Sequence, residues 1–362
     1  MTAHKPLLLD KTRSWRLRVA LALILGMGTV TPTHVSAQSS GTGDSIRSSA
    51  VVIMYHRFDE SDYPSTNTTP DQLDAHIAEL ASGPYTVLPV IEIVERLRSG
   101  PPLPDRTVGI TVDDAYRSIY TRAWPKLRKA GLPFTVFIST AHVDQGSSNH
   151  LTWDQIREMR DGGGVDIGHH TVTHLHMPKA DLARNAVEIK NASARFKKEL
   201  GDVPPLFAYP YGETSLDIGA AVRDAGFKAA FGQHSGVIGG IGDLFNLPRF
   251  AMNEKYGDLA RFRMAVNALA LPVTDVTPAE HLIGERNPPA IGFTLHNELP
   301  GLNGLACFTS HDGKAQLERL GPVRFEIRVI KPFPLGRTRL NCTLRGSGGR
   351  WHWLGRQFLR IN

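Results

Sequence analysis

Residues 107–116, TVGITVDDAY, constrain this chain more than any other stretch. A β-branched, apolar run of strand length, broken only by Gly109, ends in two adjacent carboxylates, Asp113 and Asp114. Such a run reads as a parallel strand buried on both faces. Two acids at its C-terminal tip are costly to place unless something there needs negative charge. Successive side chains on a strand point to opposite sides, so the two acids cannot share one job; a metal ligand and a base would suit them. The plain alternative is a solvated turn or a helix start, which favours acids.

A second stretch, VDIGHHTVTHLHM, also follows an apolar strand candidate, residues 164–167, and holds His169, His170, His174 and His176. His170 and His174 have a spacing that lets two imidazoles converge on one ion. His169 with His174, one residue wider, remains a possible pair, and one or two of these histidines could be core or surface residues. One Asp and two His leave coordination positions open, as a hydrolytic metal requires.

TVDD, then HTVTH, then FAYPYGE at residues 207–213 resemble the three leading motifs of the polysaccharide deacetylase family (carbohydrate esterase family 4, the NodB-homology domain). In that family the motifs commonly run TFDD, H-S/T-x-x-H and RPPYG. The resemblance covers roughly residues 49–270. It implies a distorted (β/α)7 barrel in which Asp114, His170 and His174 hold a divalent metal and Asp113 is the general base. Zinc is the expected ion, with cobalt, nickel or iron as alternatives. Pro210 and Tyr211 would shape the pocket, with the Tyr211 amide facing the oxyanion; otherwise the segment is a Pro/Gly turn.

Two departures point within the family. The histidine motif that usually supplies the general acid is absent before residue 271, but the first strand ends in MYH at His56. Ala208 stands where the family arginine would be. Both features resemble the biofilm poly-β-1,6-N-acetylglucosamine N-deacetylases, which implies His56 as the acid. Arg249, in LPRF at a later strand end, is the candidate to orient Asp113. A structural histidine and a surface ion pair are the respective plain readings. Arg57 follows His56 where those relatives often carry an acid.

Order along the chain agrees with that fold. Strand candidates at residues 50–55, 85–88, 107–112, 132–139, 165–167, 206–208, 227–232 and 246–250 alternate with helix candidates at 70–82, 90–98, 117–130, 152–161, 181–200, 216–225 and 258–271. Alternating β and α units predict a parallel sheet with helices outside and chemistry at the strand C-termini. From Pro272 onward Pro and Gly become frequent and short strand candidates follow one another, which predicts a small all-β module over 272–362 after a barrel over 49–271. Trp351 and Trp353 share one strand face and could stack on sugar or fill a sandwich core. Cys307 and Cys342 could form a disulfide or stay as two buried thiols.

Charge argues against nucleic acid. The formal +6 includes Lys5, Lys11, Arg13, Arg16 and Arg18 against Asp10; without residues 1–37, 36 basic and 34 acidic residues leave +2. Those 37 residues read as a cleaved export signal: basic residues, the apolar run 19–27, then Val35-Ser36-Ala37. The run is short for a membrane span of about 20 residues, so no stable span is expected after cleavage, and the Ser/Gly-rich stretch 38–48 reads as a flexible lead-in. The reading is therefore an exported, periplasmic or secreted, metal-dependent N-deacetylase of an N-acetylglucosamine polymer. Poly-β-1,6-N-acetylglucosamine is the favoured substrate; peptidoglycan, chito-oligosaccharides, or an inactive glycan-binding barrel are the alternatives.

Overall fold

A computed structural model describes residues 48–239 and 242–361; the expected export signal at residues 1–37 lies outside them. Seven parallel strands form the barrel wall of a nine-stranded sheet, whose other two members are the short edge strands Thr86–Val87 and Ile238–Gly239: β1 (Ser49–Tyr55), β2 (Thr107–Asp113), β3 (Phe134–Ile138), β4 (Val165–His169), β5 (Leu206–Ala208), β6 (Ala229–Phe231) and β7 (Phe250–Ala251). β1 to β6 are neighbours in chain order; on the other side of β1, Ile238–Gly239 pairs antiparallel with its start and β7 pairs parallel with its end. A single parallel bridge, Phe231 to Leu247, carries the residues before β7 against β6. The sheet thus curls into a distorted (β/α)7 barrel whose seam is closed by that bridge.

The apolar runs form this sheet because both their faces are covered. Every residue of β2 is buried. Gly109 breaks the run because a Cβ there would stand 3.0 Å from the side chains of Val90 and Ile93 on the helix Val90–Ser99. The helices carry the stop and start signals read from the sequence. Thr69 with Gln72, and Thr152 with Gln155, form complete capping boxes on Pro70–Ser82 and Trp153–Asp161. Asp181 caps Leu182–Leu200, which Gly201 ends at φ 90°.

Three elements differ from expectation. The helix expected over 117–130 opens as a π-turn, Ile119–Ala123, before Trp124–Lys129, because Pro125 has no N–H to donate. The strand expected over 246–250 is reduced to the Leu247 bridge and β7. The helix expected over 258–271 ends at Val266, and Leu269–Ala270 (β8) instead pairs with the last strand of the chain.

Two further sheets follow, antiparallel except for one parallel edge pair. Val273–Thr277 (β9), Ile291–Leu295 (β10), Gln316–Arg319 (β12) and Arg324–Arg328 (β13) make one. Ala306–Thr309 (β11) and the long hairpin Gly336–Arg345 (β14) with Trp351–Arg360 (β15) make the other, with β8 at its edge. Phe293, Phe325, Leu340 and Phe358 fill the space between them. Cys307 and Cys342, opposed in the β11–β14 register, are joined in a buried disulfide. The hairpin lies against the barrel: Trp353 packs edge-on to Phe250 at 5.1 Å, and a Cβ on Gly355 would meet the Ser235 carbonyl at 1.6 Å. Trp353 is thus a half-buried joint between hairpin and barrel rather than sandwich core.

Candidate active site

The ends of β1, β2, β4 and β5 and the turn before β7 bring the candidate residues together. Asp113 closes β2 and Asp114 leaves it in a left-handed conformation, φ 76°. Five of the eight positive-φ residues other than glycine among the described residues, Asp114, Ala115, Thr171, His174 and Tyr211, belong to this site. Each such residue costs on the order of 1–3 kcal/mol, and that strain persists where surrounding contacts over-determine it.

Contacts of that kind surround the histidine loop. Glu188, buried on the helix Leu182–Leu200, accepts hydrogen bonds from the amides of Val172 and Thr173 at 3.0 and 2.9 Å and from the Thr173 hydroxyl at 3.1 Å. Ser139 donates to the His170 carbonyl at 2.7 Å, and Thr171 accepts from the His174 amide at 3.1 Å. His170 Nδ1 lies 2.7 Å from the Ala208 carbonyl. A carbonyl can only accept, so Nδ1 carries the proton and Nε2 presents its lone pair inward.

That lone pair faces Asp114. His170 Nε2 and His174 Nε2 stand 3.4 and 3.3 Å from the same oxygen, Asp114 Oδ1. Asp114 Oδ1 and His170 Nε2 are buried with no hydrogen-bond partner. Two ligands about 2.0–2.1 Å from one tetrahedral ion stand about 3.3–3.4 Å apart. The donor set and its spacing therefore fit a divalent cation, and Asp114, His170 and His174 are the grouped ligand atoms that could hold one among the described residues. Burial raises the Asp114 pKa, but the facing imidazoles outweigh it and hold the carboxyl well below its usual range.

Asp113 turns the other way, into Arg249. The guanidinium reaches both carboxylate oxygens, Nη1 to Oδ1 at 2.7 Å and Nη2 to Oδ2 at 2.8 Å, and Nε donates to the Gly232 carbonyl at 2.9 Å. Both side chains are wholly buried. Burial pushes the Asp113 carboxyl up; the Arg249 charge and its two hydrogen bonds, with His170 and His56, pull it below normal. His56 Nε2 lies 4.0 Å from Asp113 Oδ2. Burial lowers its pKa most, against the pull of Asp114 and Asp113. Arg57 turns away, bonded to Glu60 at 2.6 Å and held between the rings of Tyr63 and Tyr116.

Tyr211 sits beside these groups in the short turn Pro210–Gly212, its ring 4.5 Å from that of His174 and stacked on His176 at 3.8 Å. His176 is bonded to Glu213 at 2.7 Å. His169 is excluded from the centre. It packs among Phe196, Phe207 and Phe227, with Nε2 3.2 Å from the Ile189 carbonyl, and burial lowers its pKa to about 3. The pairing of His169 with His174 is therefore ruled out: His169 points to the helix side of β4.

Sequence reasoning missed two supports. Glu188 reads there as an ordinary i, i+4 partner of Arg184, which it also is. Gln357 lies far along the chain in β15, yet its Nε2 donates to the Gly212 carbonyl at 2.8 Å and the Tyr211 carbonyl at 3.4 Å. Nothing in a sequence without strand register signals that contact.

Comparison with known proteins gives this geometry a context. Residues 100–230 match the family model described as polysaccharide deacetylase. Bacillus subtilis YxkH, named for the same family, is 25% identical over 177 residues, 49% of this chain; the chain spans 62% of that relative's length. The poly-beta-1,6-N-acetyl-D-glucosamine N-deacetylase of Staphylococcus epidermidis is 24% identical over 267 residues, covering 65% of this chain and 91% of that one. In fold, the Streptococcus pyogenes deacetylase PplD superposes with a TM-score of 0.56 at 22% identity, over 60% of this chain and 98% of that one. The matched segment contains Asp113, Asp114, His170, His174 and Tyr211, and over it this chain carries a polysaccharide deacetylase domain.

Proposed function

We propose that this protein is a metal-dependent hydrolase that removes N-acetyl groups from an N-acetylglucosamine-containing polysaccharide. Poly-β-1,6-N-acetylglucosamine, the substrate in the name of the Staphylococcus epidermidis relative, is the first polymer to test. The observation that carries the reading is the meeting of Asp114, His170 and His174 beside an Asp113 that Arg249 clamps. The site opens into a cleft of about 900 Å³, room for several sugar units.

Asp114, His170 and His174 are the residues that would hold the ion, zinc being favoured by two imidazoles and one carboxylate. A divalent cation there would polarise the amide carbonyl and lower the pKa of the attacking water. Asp113, kept ionised by Arg249, takes the proton of that water as general base. His56, its Nε2 4.0 Å from Asp113 Oδ2, gives a proton to the leaving amine as general acid. The turn at Tyr211 offers its backbone amide to the oxyanion. Export through residues 1–37 would bring the enzyme to such a polymer, and no helix among the described residues is long and apolar enough to cross a membrane.

The test is acetate release from defined glucosamine oligomers of β-1,6 and β-1,4 linkage. Asp113→Asn should keep its metal and lose at least two orders of magnitude in kcat. Undiminished turnover by that variant would remove Asp113 from the chemistry; no acetate from the wild type on any oligomer would favour the inactive, glycan-binding reading.

A further inference from the structure

Part of the cleft wall beside the candidate metal-ligand residues is not barrel. Arg337, Arg339 and Asn341 alternate along β14, so they share one face, and with Trp353 of β15 they line the same cleft as His56, Asp114 and His174. Its charge is one-sided. Asp114 is the one carboxylate on the cleft wall among the described residues, against Arg261, Arg337 and Arg339.

These arginines are not alike. Arg261 donates to the carbonyls of Ala251 and Tyr256. Arg337 donates to the Tyr211 carbonyl at 3.2 Å and stands 3.7 Å from Glu213. Arg339 is solvent-accessible, and its guanidinium has neither a carboxylate nor a carbonyl partner among the described residues. The packing around it, and then the charge of Arg337, lower its pKa. A neutral N-acetylglucosamine chain brings nothing to neutralise Arg339. Its deacetylated product is cationic and is repelled by it.

We infer that Arg339, supported by Arg337, forms a subsite for an anionic substituent, carboxylate or sulfate, on a sugar near the N-acetylated residue being hydrolysed. The preferred substrate is then an acidic N-acetylhexosamine polymer rather than a neutral one. A fork of guanidinium donors suits both anions, and the hydrogen bonds it makes to them are charge-assisted. The half-buried face of Trp353, anchored by its Nε1 donating to Asn341 at 2.9 Å, gives the neighbouring ring an apolar contact. This inference rests on the deacetylase reading and narrows its substrate.

The experiment compares chito-oligosaccharides of one length that are unmodified, C6-carboxylated or C6-sulfated, with a neutral β-1,6 oligomer alongside. Acetate release is followed at two salt concentrations, and binding to Asp113→Asn is measured by calorimetry. An anionic form should show a KM about tenfold below that of the neutral oligomer on the same backbone, a margin that shrinks with salt. Arg339→Gln should abolish that margin and Arg339→Lys keep most of it; carboxylate against sulfate then identifies the group. Equal KM values, a margin that survives Arg339→Gln, or acetate from neutral oligomers alone would overturn the subsite. Acetate from none of the oligomers would instead sink the deacetylase reading, and the subsite with it.

Discussion

Arg249 and Asp113 meet through two parallel N–H···O bonds of 2.7 and 2.8 Å, with neither side chain open to solvent. They are 136 residues apart in sequence. In a buried pair, each charge is tolerable because of the other. Arg249→Leu should therefore cost about 3–5 kcal/mol in urea unfolding, and the acid limb of the pH–rate profile should move to higher pH as Asp113 loses the cation that holds its pKa down. Arg249→Lys, which cannot make the fork, should recover only part of either effect.

Glu188 touches no reacting group, yet it fixes the loop that carries His174 through three hydrogen bonds. Partners that orient metal ligands are worth about 10–100-fold in affinity. Glu188→Ala should weaken zinc binding by that factor in competition with a chromophoric chelator, with the fold retained by circular dichroism. An unchanged affinity would mean that Thr171 and Ser139 suffice to hold the loop.

Gln357 reaches from the C-terminal hairpin to the carbonyls of Tyr211 and Gly212, and Tyr211 is held at φ 60°. It acts by positioning. Gln357→Leu should lower kcat by roughly tenfold or more with a smaller change in KM, since small misplacements of positioned groups are costly. A change confined to KM would assign the hairpin to substrate binding alone.

The disulfide between Cys307 and Cys342 closes a loop of 35 residues in the β module. In the chain-entropy account, a loop of that length contributes about 3–4 kcal/mol. The double variant Cys307→Ala/Cys342→Ala should lose about that much in urea unfolding, and reducing agent should have the same effect on the wild type and none on the variant.

Besides His169, three buried histidines away from the site set an acid limit on stability. Burial lowers the pKa of His76 to about 4, and those of His234 and His281 to about 3. In the unfolded chain they titrate near 6.5. Between these values the unfolded state binds protons that the folded state refuses, so unfolding becomes easier as pH falls. Stability should be level above about pH 7 and decline from 6.5 toward 4, with His76 alone worth on the order of 3 kcal/mol across that window. Urea midpoints at pH 7.5, 6 and 5 measure this; a flat series would contradict it.

Much of the centre was legible because it lies where a strong local pattern stops. The apolar run of β2 ends at Asp113 and Asp114, and that of β4 ends just before His170. Arg249 could be reached as a lone arginine at a strand end, although its partner could not be proved from sequence. Glu188 was hidden by an ordinary helical pairing with Arg184, and Gln357, Arg337 and Arg339 by the unreadable register of a late hairpin. The misread helix over 258–271 has the same origin. Residues 269–270 are drawn into an edge pairing with β15, a contact formed with a strand some eighty residues later in the chain, which outweighs local helical periodicity.

The most direct test of the metal-centred account is a chelation and reconstitution experiment on the full chain, with bound ion and acetate release measured on the same samples. The account predicts about one divalent ion per chain, loss of acetate release on its removal, recovery on adding zinc, and neither binding nor recovery in the Asp114→Asn/His170→Ala variant. Full turnover by the metal-free protein, or undiminished binding by that variant, would contradict it.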